Sequence, residues 1–311
     1  VIATFKELIK ATGGLRSQRI AVANPSNAET FEAIRIAAEV LPVSFLLIGV
    51  DSVLRRGIQE HHIAPARITM VGVSDVGEAI QTAVHAVGQG GAGVLMKGSV
   101  DTASLMKAVL AEGSGLRTGK TLSDVFAFEF PDPSGTRLMM ITDGGLNLSP
   151  DLRTKVDLIR NAVFVAHALG IALPRVAVLS ASEFVNPSLP SSVDAAELTR
   201  MNESGLITGC IVGGPFALDN ALSPDAAGEK GIRSEVAGRA DILLAPSIEA
   251  ANMLAKSTTY LGGYPSGHVI VGAASPILIP SRADKHDAKV NSIALGIVMA
   301  QAASAEGEKR L

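Results

Sequence analysis

Apolar residues along this chain fall into short β-rich runs, separated by stretches in which they recur at helical spacing. The runs at 19–23 (RIAVA), 44–50 (SFLLIGV), 68–72, 93–97 (GVLMK), 126–130 and 137–143 predict strands. A second series at 175–180 (RVAVLS), 209–213, 241–245 (DILLA), 268–272 and 276–280 predicts more of them. Between them, 28–41, 75–88 and 151–169 show apolar residues three or four positions apart and predict helices. The last helix carries Val290, Ile293, Ala294, Ile297 and Val298 on one face. Strands alternating with helices predict an α/β protein with largely parallel sheets. At 311 residues the chain exceeds one comfortable core, so two domains are expected, with the helix at 151–169 as the passage between them.

Several predicted strands end in polar or glycine-rich turns: Asn24-Pro25-Ser26-Asn27, Lys97-Gly98-Ser99, Asp143-Gly144-Gly145, Gly213-Gly214-Pro215 and Ser281-Arg282. Ligands of parallel sheets gather at such carboxyl ends. The stretch PILIPSRADKHDAKVNSIAL, from Pro276, brings a hydroxyl, a guanidinium and a carboxylate (Ser281, Arg282, Asp284) to the start of the last helix. Two readings compete for it: a helix cap beside a solvated charge pair, or a grip for an anion.

Composition narrows the functions. Hydrophobic residues make up 47% and charged residues 18%, and 27 basic against 30 acidic side chains leave a net charge of −3. No overall basic field would hold nucleic acid or an anionic membrane, so an anionic substrate needs a local constellation. Cys210 is the only cysteine, which excludes an intrachain disulfide and thiolate metal clusters and fits a cytoplasmic setting. The opening VIATFKELIK has the spacing of a short amphipathic helix and not of a signal peptide, and apolar stretches break well short of a membrane span.

Familiar short motifs fail on context. Gly88-Gln89-Gly90-Gly91-Ala92-Gly93 spells GxGxxG, but it follows a predicted helix and feeds a strand, the reverse of a dinucleotide fingerprint. Ser114 to Thr121 nearly spells a phosphate-binding loop, yet serine stands where its first glycine belongs and no strand precedes it. Six histidines form no HExxH, so no catalytic metal is expected, and no GxSxG elbow occurs. With no Trp and two Tyr, stacking platforms for single-stranded nucleic acid are few.

Longer blocks carry a resemblance. TDGGLNLSP, VAVLSASEFVNPSLPSSVDAAEL, GPFALDNALSPDAAGEKGI, VAGRADILLAPSIEAANMLAK and SRADK resemble the phosphate acetyl/butyryltransferase family in order and spacing. LMKGSVDTASLMKAVL and GLRTGKTLSDV extend the likeness back to about residue 93, and the N-terminal third is similar in pattern only. The wording of LMKGSVDT and SRADK is closer to the butyryltransferase branch. The resemblance implies reversible transfer: acyl-CoA plus phosphate gives acyl phosphate plus CoA, without a metal or a permanently bound cofactor. It implies two α/β domains of the isocitrate/isopropylmalate dehydrogenase-like type, an active site in the cleft between them, and a homodimer. By that analogy domain I covers 1–143 and 277–311, and an inserted, dimer-forming domain II covers 144–276.

Ser281 and Arg282 match a Ser-Arg pair that holds the acyl phosphate in the acetyltransferase relatives. The chemistry suits them, because a guanidinium can bind phosphate oxygens in parallel while a hydroxyl meets a developing oxyanion. Those relatives carry an aspartate seven residues after the serine; Ala288 stands there, so Asp284 is the expected general base, with helix capping as the competing account. A second phosphate-binding arginine of the relatives is also missing, and Lys97, beside Gly98, is the expected substitute, ahead of Lys107 and Arg117. Asp143 and Gly144, Asp219 and Asn220, and Lys230 complete the expected contacts to substrate, the last toward the anionic part of CoA. Two other functions remain open on sequence: a catalytically silent binder of CoA or acyl phosphate, suggested by Ala288, and a metal-dependent dehydrogenase on the related fold, which lacks its cluster of aspartates.

Overall fold

Strands rich in Val, Ile and Leu on both faces demand cover on both sides, and the chain supplies it with helices after nearly every strand. The computed structural model describes residues 1–132, 135–281 and 283–308, with 306–308 by their backbone. In chain order it runs α1 (Phe5–Thr12), β1 (Gln18–Ala23), α2 (Ala28–Val40), β2 (Val43–Gly49), α3 (Asp51–Glu60), β3 (Ile68–Gly72), α4 (Val76–Gly88), β4 (Val94–Lys97) and α5 (Thr102–Leu110). Next come β5 (Ser123–Asp132), β6 (Gly135–Thr142), α6 (Leu152–Ala168), β7 (Arg175–Leu179), α7 (Pro190–Glu203) and β8 (Ile211–Phe216). The chain ends with α8 (Leu218–Leu222), α9 (Pro224–Glu229), β9 (Ile242–Leu244), α10 (Ile248–Tyr260), β10 (Ser266–Val271), β11 (Ile277–Leu278) and α11 (His286–Glu308). Each predicted strand is present, within a few residues of its expected bounds.

The chain divides into two units, one of Phe5–Lys120 and Pro265–Leu311, the other of Val1–Thr4 and Thr121–Tyr264. In the first unit the strand order is β3-β2-β1-β4-β11-β10, parallel except for β10, which runs antiparallel to β11. In the inserted unit the order is β5-β6-β9-β7-β8, parallel except for β5 against β6. The inserted unit begins at Thr121 and ends at Tyr264, earlier at both ends than the expected 144–276. Pairing explains the difference. Met140 of β6 lies opposite Ile242 of β9, which ties the β5–β6 pair to the insertion, while Ile270 of β10 lies opposite Ile277 of β11 in the first unit. Helix α6 is not a passage between units: it packs on β5, β6 and β9, all of the inserted unit.

The first core gathers Ile20, Val22, Phe45, Leu47 and Leu95, and the inserted core gathers Phe128, Met139, Ile141, Ala177 and Leu243, all buried. Helix α11 departs from the expected single apolar face. Every residue from Lys289 to Ala300 is buried, because β10, β11, β4, α2 and α1 all touch it. Its polar residues are matched rather than solvated: Asn291 Nδ2 donates to Ser266 O at 3.0 Å, and Ser292 Oγ accepts from His268 N at 3.0 Å. Gly267 allows this approach, since a Cβ there would stand 2.9 Å from Ser292 N. Ile293→Ala, at a position with no exposed surface, should cost about 2–5 kcal/mol in urea denaturation.

Candidate active site

In the first unit, successive connections move outward from β1 through β2 to β3, then return to place β4 on the other side of β1. Such a reversal leaves a crevice at the carboxyl ends of the two strands that part. The two chains stay bonded past their strand ends: Gly98 N donates to Ala23 O at 2.9 Å and Ser99 N to Asn24 O at 2.8 Å. A Cβ at Gly98 would meet Ala23 O at 2.5 Å and Asn24 O at 2.6 Å, so only glycine fits this crossing. Asn24 has a left-handed φ of 54° and donates through Nδ2 to Ser99 O at 3.2 Å. Asn27 caps α2, accepting from Thr30 N, and reaches Ser99 Oγ at 3.1 Å. Asp101 caps α5 in the same way through Ser104 N. Two helix N-termini therefore open at this edge, where anions are favoured. Lys97 closes β4 with only 5% of its surface exposed and donates to Val100 O at 3.3 Å.

Strand β11 runs parallel to β4, with Leu278 opposite Met96, and so delivers Ser281 to the same edge. Ser281 N donates to Asp284 Oδ2 at 2.7 Å, Asp284 N to Ser281 O at 3.2 Å, and Ala283 N to Ser281 Oγ at 3.3 Å. His268 Nε2 lies 4.0 Å from Asp284 Oδ2. Asp284 thus closes the turn before α11 and does not cap the helix; Glu29 of α2 does that, accepting from His286 N at 2.8 Å. Arg282 lies outside the described residues.

Arg117 is not brought here. Its neighbours are anchored at the far end of β4: Thr118 Oγ1 donates to Gly272 O, and Ala274 N donates to Leu116 O, both just past β10. Because β10 opposes β11, that end of it lies at the amino edge of the sheet, one β4 length (roughly 13 Å) from Ser281. No helix begins after Lys120-Thr121, which lead into β5, so the near phosphate-loop string has no helix terminus to offer. The GxGxxG string forms the turn from α4 to β4.

In the inserted unit, Asp143 follows β6 and is 2% exposed. Its Oδ1 accepts from Gly145 N at 2.8 Å and Leu146 N at 3.1 Å, and its Oδ2 from Asn147 N at 3.2 Å. Burial first, then the nearby Asp124 charge, push the carboxyl up to about 6 against the pull of these donors. Gly144 O accepts from Asn252 Nδ2 of α10 at 3.0 Å, and a Cβ on Gly145 would stand 3.0 Å from Asp124 Cβ. Asp219, Asn220 and Lys230 sit elsewhere, at the end of β8, three strand spacings or about 14 Å along the sheet from β6. Lys230 Nζ lies 3.0 Å from Asp219 Oδ2 and 4.0 Å from Glu183 Oε2, so two carboxylates already neutralise it. Asn220 is fully enclosed, without a hydrogen-bond partner for its side-chain amide. Neither is the N-cap of α8, which is Ala217.

Sequence reasoning passed over Asn24, Asn27, Asp124, Glu29 and Lys289. The asparagines stood inside a turn already singled out, whereas nothing local marks Asp124, Glu29 or Lys289. Among the described residues, no group of three His, Cys, Asp or Glu side chains could hold a metal ion, and no helix is long and apolar enough to cross a membrane.

By fold the chain is an α/β protein with a mostly parallel sheet, and the turns just described stand where its strands end. Residues 73–297 match the family described as Phosphate acetyl/butaryl transferase. The chain is 41% identical over 296 residues to the phosphate butyryltransferase of Clostridium beijerinckii, covering 95% of this chain and 97% of that one. It is 42% identical over 297 residues to the phosphate acetyltransferase of Thermotoga maritima, covering 95% and 99%. Among solved structures, a branched-chain phosphotransacylase from Enterococcus faecalis matches it with a TM-score of 0.80 at 31% identity, over 91% of this chain and 99% of that one. The chain belongs to the phosphate acetyl/butyryl transferase family.

Two outcomes test this geometry. Gly98→Ala should force β1 and β4 apart, lowering stability by about 1–3 kcal/mol in chemical denaturation. Asp143, whose carboxyl stands at about 6 against an ordinary 3.8, contributes stability that is present below its unfolded value and lost as pH rises through 6, worth roughly 3 kcal/mol. Asp124→Asn should shift the Asp143 titration, read by carboxyl carbon NMR, to lower pH and shrink that loss.

Proposed function

We propose that the chain is a phosphate acyltransferase interconverting acyl-CoA plus phosphate with acyl phosphate plus CoA, and that Ser281, Arg282 and Asp284 carry the reaction. The observation that supports this most is the convergence of β1, β4 and β11 on one edge at the reversal of strand order, with Ser281 at the end of β11. The family match and relatives named for this activity agree with it.

In the direction of acyl-CoA synthesis, Asp284 takes the proton of the CoA thiol. An unassisted thiol, with a pKa near ~8.5, is mostly protonated at neutral pH. The thiolate attacks the acyl carbonyl carbon, forming the C–S bond and placing negative charge on the carbonyl oxygen. Collapse of that tetrahedral species breaks the bond between the acyl carbon and the bridging oxygen, phosphate leaves with that oxygen, and Asp284 returns the proton to the departing phosphate. Arg282 suits the phosphate oxygens because its fork offers parallel N–H donors, and the Ser281 hydroxyl suits the oxyanion. Ser281 Oγ already accepts from Ala283 N, which leaves its one O–H free to donate outward. The bond from Ser281 N to Asp284 Oδ2 fixes the orientation of the carboxylate. Lys97 and the N-termini of α2 and α5 supply further positive potential for the anion.

Relatives of both acyl preferences match at nearly equal identity, 41% and 42%, so the substrate is taken to be a short-chain acyl-CoA, and acetyl-, propionyl- and butyryl-CoA assayed in phosphate buffer rank the chain lengths. Ser281→Ala should raise the barrier by about 3–4 kcal/mol, and Arg282→Ala should lower turnover strongly with little change in melting temperature. Wild-type protein that binds CoA yet releases no phosphate from acyl phosphates would instead favour a silent binder.

A further inference from the structure

Lys289 is an unusual occupant of the last helix. It is 1% exposed, whereas lysine is almost never buried without a partner. Its Nζ donates to Ser281 O at 3.2 Å and to Asp284 O. Both carbonyls lie outside α11, eight and five residues back along the chain. The lysine therefore does no work for its own helix, whose backbone at this point is satisfied by Lys289 N donating to Lys285 O.

Ser281 and Asp284 are tied together from two sides. The Asp284 carboxylate receives Ser281 N, Asp284 N returns a bond to Ser281 O, and the lysine amine binds the carbonyls at both ends of the same segment. Asp284 and Glu29 supply the compensating negative charge, against the burial that pulls the amine's pKa down. Glu29 also holds His286 N, so the same carboxylate steadies the start of α11 and faces the amine. No shorter or neutral side chain at this position could span both carbonyls with charge-assisted bonds.

We propose that Lys289 is the positioning residue of the candidate site: its enclosed ammonium, bridging the carbonyls of Ser281 and Asp284, holds the turn in the shape that presents the Ser281 hydroxyl and the Asp284 carboxylate to substrate. This rests on the acyltransferase reading above. Lys289 touches no reacting atom; it acts through the backbone of the residues that do. An error of about 1 Å in such a turn is enough to cost roughly a hundredfold in rate.

The test compares Lys289→Met, which keeps the length and loses the donors, with Lys289→Arg, which keeps donors. Turnover of butyryl- and acetyl-CoA with phosphate is measured together with amide hydrogen exchange and melting temperature. Lys289→Met should lose about a hundredfold in kcat with KM for acyl-CoA within about twofold, exchange should quicken at 281–284 alone, and Lys289→Arg should recover at least part of the rate. Wild-type kcat in Lys289→Met overturns the proposal. So does a loss that comes with faster exchange throughout the first unit and no recovery by arginine, which would make Lys289 a packing residue only. An inactive wild-type chain would remove the acyltransferase reading instead, while the local exchange change in Lys289→Met would still decide whether the clamp exists.

Discussion

The hydrogen bonds that join β1 and β4 beyond the ends of their strands, Gly98 N to Ala23 O and Ser99 N to Asn24 O, set the frame for the candidate site. They bring together two turns that are far apart in sequence and open them at the place where the sheet reverses its strand order. The glycine is a condition of the contact, because any side chain would strike the carbonyls of the neighbouring turn. Once β1 and β4 are fixed in this way, β11 has one register against β4, and Ser281 follows from it.

Buried charge follows the same edges. Lys97 and Lys289 lie where β4 and β11 end, and Asp124 and Asp143 lie where β5 begins beside the end of β6. Buried ions are costly unless paired or hydrogen-bonded, and Lys97, Lys289 and Asp143 are held by backbone groups close at hand. In a chain whose net charge is only −3, the potential felt by an anionic substrate comes from such local arrangements and from helix termini. The Lys230 cluster shows the contrast: Asp219 and Glu183 surround its ammonium, so it is already spent on its own neighbours.

Much of the fold was legible because fully buried parallel strands write themselves as short apolar runs, and RIAVA, SFLLIGV and DILLA are such runs. Their order and direction were not. The antiparallel setting of β10 moved Arg117 to the opposite edge of the sheet from Ser281, and no local pattern in residues 114–121 could report it. Domain bounds were misplaced for a similar reason, since the pairing of Met140 with Ile242 is a long-range fact. The Ser281 turn was singled out from the abrupt change after PILIP, yet nothing local marks Lys289, because the carbonyls it binds lie five and eight residues back, outside its own helix. The burial of Asn291 and Ser292 is equally invisible locally, because their partners, Ser266 O and His268 N, lie on a strand more than twenty residues upstream.

Strand β11 stands between β4 and β10 in the first sheet, although it is nearly the last segment of the polypeptide. On the ribosome, β1 to β4 emerge early and must wait with one flank of β4 uncovered until residues 277–278 arrive and α11 closes over them. The intervening unit, whose strands are contiguous from Ser123 to Leu244, has all its partners in hand much sooner. Synthesis order therefore brings the strands of the inserted unit together before the sheet of the first unit is complete, and a nascent chain stopped short of Ile277 leaves β4 without its second neighbour.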